Sequence, residues 1–155
     1  MTDLERGTTL NVGVVGGGTQ SNVVPASAWA DIDLRVTTIA NADEVTERLQ
    51  ALKSRDPQCK LRLTGGLNRP PMERTPGTAA LFEQAKQLAG ELGFALEEAA
   101  TGGGSDGNFT SALGVPTLDG MGAVGNGAHA ENESIRIDAL VKRTALLAAM
   151  IATTV

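Results

Sequence analysis

The sequence is poor in the residue types that most often carry chemistry. Its 155 residues include one histidine, one cysteine and four aromatic side chains, one tryptophan and three phenylalanines. The single cysteine, Cys59, excludes an internal disulfide, and alone it excludes a structural zinc site built on several thiolates; a free thiol near a strand is the expectation. There is no basic cluster, and 18 acidic residues outnumber 13 basic ones for a net charge of −5. Nucleic acid is thereby excluded as the main partner, because phosphate binding needs a basic surface and single strands usually add stacking aromatics. No apolar run approaches the roughly 20 residues that span a bilayer, so no membrane partner is expected. The segment Met1 to Gly7 is polar and acidic, without the pattern of a secretory leader, and a cytoplasmic location is expected. Low-complexity segments and internal repeats are also missing. What remains is 41% hydrophobic and 20% charged, an ordinary balance for a globular chain of one domain or two small ones.

Periodicity divides the chain into elements. Thr8 to Val15 reads as a strand, with Leu10, Val12 and Val14 alternating and Gly16-Gly17-Gly18 ending it. A connection carrying Ser21-Asn22 follows. Ala26 to Thr37 is the clearest strand: Ala28, Ala30, Ile32, Leu34 and Val36 lie on one face, and Trp29, Asp31, Asp33 and Arg35 on the other. That alternation suits an antiparallel sheet covered on one side. Asn41 to Ser54 reads as a helix with Asn41 and Glu44 as a capping pair and Val45, Leu49 and Leu52 as its stripe. Lys60 to Thr64 reads as a third strand, completing a small open-faced α+β layer.

Pro70, Pro71 and Pro76 mark the best boundary. Beyond them the spacing predicts a helix over Thr78 to Leu92, a short strand over Phe94 to Ala100, and a helix over Asp106 to Leu113 capped by Ser105 or Asp106. A buried strand over Val115 to Leu118 and a closing helix over Asp138 to Ala152 follow. The closing helix carries Leu140, Val141, Thr144, Leu147, Ala148 and Ile151 in register.

The candidate chemistry gathers in Thr101 to Glu133, TGGGSDGNFTSALGVPTLDGMGAVGNGAHAENE. Glycine is used where backbone must approach something closely or take positive φ, and loops on a rigid scaffold are where functional groups collect. Gly102 to Gly104 lacks the spacing of a phosphate or dinucleotide loop, but such a loop can offer backbone N–H groups to a carboxylate. The glycine loop from Gly122 to Gly127 ends on Ala128-His129. Imidazole is the commonest nitrogen ligand of zinc and the usual acid–base group near neutral pH. A zinc site needs three or four ligands, and neither Asp119 nor Glu131 stands at a recognisable spacing from His129. Asn22 and Arg35 read by default as turn and solvent-facing residues; together they could bind a carboxylate, Arg35 through its planar fork.

This stretch closely resembles the C-terminal catalytic segment of the zinc-dependent glutamate carboxypeptidase, acetylornithine deacetylase and succinyl-diaminopimelate desuccinylase family, with glutamate carboxypeptidases as the nearest branch. The earlier stretch GTTLNVGVVGGGTQSNVVPASAWADIDLRV resembles that family's lid, or dimerisation, domain. The resemblance implies a partial α+β ferredoxin-like lid over residues 1–74, lacking its first part. It is followed over residues 75–155 by the C-terminal α/β part of a zinc-peptidase catalytic domain. It implies hydrolysis of an amide bond, in N-acyl amino acids or next to a C-terminal glutamate, by a water held between two zinc ions with a glutamate as general base. It implies a homodimer formed through the lid. Carried over by motif, His129 looks like a zinc ligand, Gly104 like the backbone position beside the substrate carboxylate, and Asn22 and Arg35 like the lid residues that hold that carboxylate or the scissile group.

The family's His-x-Asp motif, bridging aspartate, Glu-Glu pair and remaining carboxylate ligand have no counterpart in this sequence. The lid histidine is likewise missing. One ligand cannot hold two zinc ions, so the expectation is the C-terminal part of a larger enzyme, inactive alone, with exposed edges and apolar patches that favour self-association. The alternative is a non-catalytic dimerisation or small-carboxylate-binding module.

Overall fold

A computed structural model describes residues 1–153. They divide into two compact units, one over residues 1–73 and one from residue 74 onward.

In the first unit, β1 (Thr9–Gly17) and β2 (Ala28–Arg35) pair antiparallel, from Thr9 opposite Arg35 to Gly17 opposite Ala28. β1 therefore continues through two of the glycines expected to end it. Gly16 allows this because Trp29 lies over it: a Cβ there would come within 2.8 Å of the indole. The register shifts between Val12 and Val14, so Gly13 is the extra residue of a bulge. A bulge reverses the alternation beyond it. Val12 pairs with Ile32, but Val15, not Val14, pairs with Ala30. The apolar face is thus Leu10, Val12, Val15, Ala30, Ile32 and Leu34, with Val14 on the polar side. The described residues leave this face open: Val12 is 50% exposed and Ile32 39%.

α1 (Ile39–Gln50) starts earlier than its spacing predicts. Thr38, not Asn41, is the N-cap; its hydroxyl accepts from the Asn41 N–H at 3.1 Å. Asn41 is instead buried in the first turn. Its amide exchanges two hydrogen bonds with Arg6, Nδ2 to the carbonyl at 2.8 Å and Oδ1 from the guanidinium at 2.6 Å. Arg6 also pairs with Glu44 at 2.8 Å. Ala42 and Val45 are buried beneath the helix. The helix ends before Leu52, which is exposed. The strand expected over Lys60 to Thr64 does not form. A strand needs a neighbour for its backbone groups, and residues 51–69 are exposed throughout, with Leu61 and Leu63 among them.

In the second unit, α2 (Pro76–Glu91) has Thr75 as N-cap and Pro76 in its first turn, the position where a missing N–H costs nothing. Its end is a glycine stop at Gly93 (φ 79): the Gly93 N–H bonds the Gly90 carbonyl and the Phe94 N–H the Ala89 carbonyl. α3 (Gly107–Ala112) is short and stops in the same way at Gly114. β3 (Gly125–Asn126) and β4 (Ser134–Ile135) form a two-residue antiparallel ribbon, and α4 (Ile137–Thr153) closes the chain.

The core of this unit is the crossing of α2 and α4. Ala85 and Ala89 are fully buried against Leu146 and Met150, with Leu81, Leu88, Phe94, Leu96, Leu118 and Met121 around them. The small alanines let the helices approach, and Leu146 fills the space. The stripe expected on α4 is therefore the wrong one. Val141 and Ile151 are 75% and 72% exposed, and Leu140 and Leu147 are also exposed. α4 is apolar on two faces, and among the described residues only the Leu146–Met150 face is packed.

The segments 94–100 and 115–118, expected as strands, pair in no ladder among the described residues. Phe94 and Leu96 still alternate inward onto the core, with Ala95 and Glu97 outward. Side-chain burial is present without the ladder that a strand requires. The architecture is a small α+β arrangement with two short antiparallel sheets.

Candidate functional site

The region carrying His129 is built outward from α4. Arg143, two turns into that helix, turns its guanidinium onto the glycine loop. Its Nε donates to the Gly122 carbonyl at 2.9 Å and its Nη2 to the Gly120 carbonyl. Met121, between those carbonyls, packs on the core. The Arg136 N–H then donates to the Val124 carbonyl at 2.8 Å, and the β3–β4 ribbon follows. Gly125 is required there: a Cβ would sit 2.1 Å from the Ser134 carbonyl oxygen.

His129 lies in the loop 127–133 that this ribbon closes. The loop turns at Gly127 (φ 72), and the Ala130 N–H bonds the Gly127 carbonyl at 2.9 Å. His129 itself has φ 67, the one described non-glycine residue in the left-handed region. A side chain there costs of order 1–3 kcal/mol and persists where the surroundings impose it. The imidazole is exposed. The protein therefore holds its one histidine at the tip of a strained loop, outside any apolar packing.

Gly104 lies on a second loop of the same unit, ahead of α3, and is exposed. Of the two caps expected for α3, Ser105 makes the bonds. Its hydroxyl accepts from the Gly107 N–H at 3.0 Å, and its own N–H donates to Asn108 Oδ1 at 2.8 Å. Asp106 makes no capping bond.

Asn22 and Arg35 belong to the first unit. Asn22 is in the exposed connection beyond the Gly17–Ala28 end of the hairpin, and Arg35 is at the opposite end, where its Nε bonds Asp33 at 3.0 Å. Eight strand residues at about 3.3 Å each separate those ends by roughly 23 Å, more than one small carboxylate spans. The register thus places the two residues toward opposite ends of the hairpin.

Among the described residues, no group of three or more His, Cys, Asp and Glu side chains converges to hold a metal ion. His129, Asp119, Glu131 and Glu133 do not make a complete centre. Cys59 is exposed and free, in an irregular turn that forms no strand. No helix of the described residues is long and apolar enough to cross a membrane. Arg143 was not legible as part of this region from spacing, because it stands beside Lys142 and reads as an ordinary solvent-facing charge.

The sequence model of peptidase family M20/M25/M40 matches residues 3–153. The chain belongs to that family. Among the M20/M25/M40 relatives it is similar to carboxypeptidase G2 of Pseudomonas sp. (strain RS-16), 29% identical over 96% of this chain and 37% of that protein. It is 33% identical to the succinyl-diaminopimelate desuccinylase of Variovorax paradoxus (strain S110), over 76% of this chain and 29% of that protein. The succinyl-diaminopimelate desuccinylase of Acidovorax ebreus (strain TPSY) is 29% identical over 79% of this chain and 30% of that protein. The chain thus spans only about a third of the length of these M20/M25/M40 relatives.

Proposed function

We propose that these 155 residues are the C-terminal part of a zinc-dependent amidohydrolase that cleaves the amide bond of N-acyl amino acids or releases C-terminal glutamate, and that they are inactive alone. The observation that carries this reading is the family match over residues 3–153 combined with the lack, among the described residues, of any group of three or more potential metal ligands. His129 on its imposed loop is the ligand this part contributes. Gly104 offers backbone to the substrate carboxylate, and Asn22 and Arg35 approach the substrate as separate contacts. Residues 1–74 are the partial ferredoxin-like lid, through which the protein dimerises, and residues 75–155 the C-terminal segment of the catalytic domain. The open apolar stripe of α4 and the unladdered apolar segments favour this assignment, because a contiguous exposed apolar patch ordinarily marks a surface that a partner covers.

The lack of a converging ligand set favours one other reading, a non-catalytic dimerisation or small-carboxylate-binding module. Zinc content and amidase activity on N-acyl-glutamates, measured on the purified chain, distinguish the readings when paired with N-acyl-glutamate binding in chelator. The enzyme-part reading expects weak, His129-dependent zinc uptake and no turnover. Tight N-acyl-glutamate binding in chelator, unchanged in His129→Ala, would replace it with the module. Stoichiometric zinc with turnover, abolished in His129→Ala, would overturn the inactivity and require ligands from these residues or a second copy.

A further inference from the structure

We infer that Arg143 is a positioning residue for His129, holding the glycine loop that delivers the imidazole in one conformation. The inference rests on the reading of His129 as the functional group of this region.

Gly120, Gly122, Gly125 and Gly127 fall within eight residues, and Gly120 and Gly127 take positive φ. Such backbone is the most conformationally free a chain can offer. A ligand or acid–base group at its end would be poorly placed unless the loop were tied down along its length. Several contacts tie it down. Leu146 and Met150 seat α4 against Ala85 and Ala89. One turn before Leu146, Arg143 donates from two nitrogens of one rigid plane to the carbonyls of Gly120 and Gly122. The segment between those carbonyls is also fixed through Met121. The Arg136 N–H carries the same anchoring on to Val124, immediately before the ribbon that closes the His129 loop.

A planar fork can reach two carbonyls two residues apart with little loss of rotamer freedom per bond, and an ammonium cannot reproduce that geometry. Arg143→Lys therefore keeps the charge while losing the two-point hold. Arg136 is a matched control: its side chain bonds Asp138, so Arg136→Ala removes a nearby positive charge without touching the Gly120 and Gly122 carbonyls.

The test is residue-resolved amide exchange on the isotope-labelled 155-residue chain, together with the His129 ring resonances during titration with zinc chloride. Arg143→Lys is expected to speed exchange of the Gly122 to Gly127 amides at least tenfold, with exchange on α2 unchanged, and to broaden or split the His129 ring signals. Arg136→Ala is expected to do neither. Arg143→Gln provides a second folded variant and should behave as Arg143→Lys. Loop exchange within twofold of wild type in both Arg143 variants overturns the inference, and so does equal acceleration in Arg136→Ala. If zinc leaves the wild-type ring unmoved while the Arg143 variants still loosen the loop, the positioning role stands and the metal reading of His129 fails.

Discussion

The ribbon that closes the His129 loop depends on one missing methyl group, which makes Gly125→Ala a sharp test of the region's geometry. A Cβ at residue 125 would lie 2.1 Å from the Ser134 carbonyl oxygen, 3.1 Å from its carbonyl carbon and 3.2 Å from the Ile135 Cα. All three are backbone atoms, so no side-chain rotation relieves the contact. The oxygen alone must retreat by about 1 Å to reach ordinary contact. β3 and β4 pair over only two residues each, and a net backbone hydrogen bond contributes about 0.5–1.5 kcal/mol. Opening the ribbon therefore costs less than compressing it. The expected loss is about 1–3 kcal/mol, confined to the loop, with faster exchange of the Asn126 and Arg136 amides and intact α2 and α4. Gly122→Ala supplies the contrast: nothing lies within 4 Å of its Cβ position and its φ is ordinary. There the substitution is neutral or stabilises by about 0.4–1 kcal/mol, through the lower entropy of the unfolded chain. Denaturant unfolding of the two variants, with amide exchange, separates the cases. Equal stability and equal ribbon protection in Gly125→Ala and Gly122→Ala would refute the described approach of the two strands.

Two further outcomes follow from exposed surfaces. The hydrogen bond and charge of Arg74 hold Glu98 below the ordinary carboxylate range. A carboxyl depressed on folding adds stability above its unfolded value and loses it as pH falls through the folded value. Thermal midpoints should therefore drop on acidification less steeply in Glu98→Gln than in wild type, by a small margin because the pair is open to solvent; parallel curves would contradict the ion pair. On α4, the double substitution Val141→Lys and Ile151→Lys should leave the fold intact and raise the concentration at which the chain self-associates in sedimentation. Leu146→Ala, on the opposite face, should cost about 2–5 kcal/mol. Equal destabilisation by both would mean that the two faces of α4 are misassigned.

Parts of the fold were legible because one local signal decided them. α2 was legible as a helix from its periodicity, although it starts at Pro76, two residues before Thr78, because Thr75 caps it and proline fits the first turn; Phe82, Ala85 and Ala89 are its buried residues, while Leu92 is exposed. The hairpin was legible in its strands but not in its faces, since a bulge at Gly13 leaves composition unchanged while reversing every side chain beyond it. Asn41 misled as a cap because asparagine serves equally well as a buried partner, and Arg6, 35 residues away, took that role. The glycine loop and its histidine stood out in sequence. The Arg143 hold on Gly120 and Gly122 did not, because it joins segments more than twenty residues apart. The separation of Asn22 from Arg35 likewise needed the strand register.

The remaining mismatches share a cause. Lys60 to Thr64, Phe94 to Ala100 and Val115 to Leu118 carry strand-like apolar patterns yet join no ladder, and the predicted α4 stripe is open while a second stripe is packed. Random error in reading periodicity would scatter such failures over polar and apolar segments alike. Here each one is an apolar pattern without a partner, and each local preference still shows: Phe94 and Leu96 alternate onto the core, and Leu140, Val141, Leu147 and Ile151 keep helical spacing. Sequences that fold well are consistent from local pattern to burial. A chain that keeps the local pattern but leaves the burial open is patterned for more surface than its own residues cover. The chain spans 37% of carboxypeptidase G2, and under the function proposed above that excess is the surface the rest of the enzyme would cover, with His129 as one of its metal ligands. In this reading the fold and the metal centre are incomplete for the same reason, so whatever covers the open face of α4 should also bring the missing ligands.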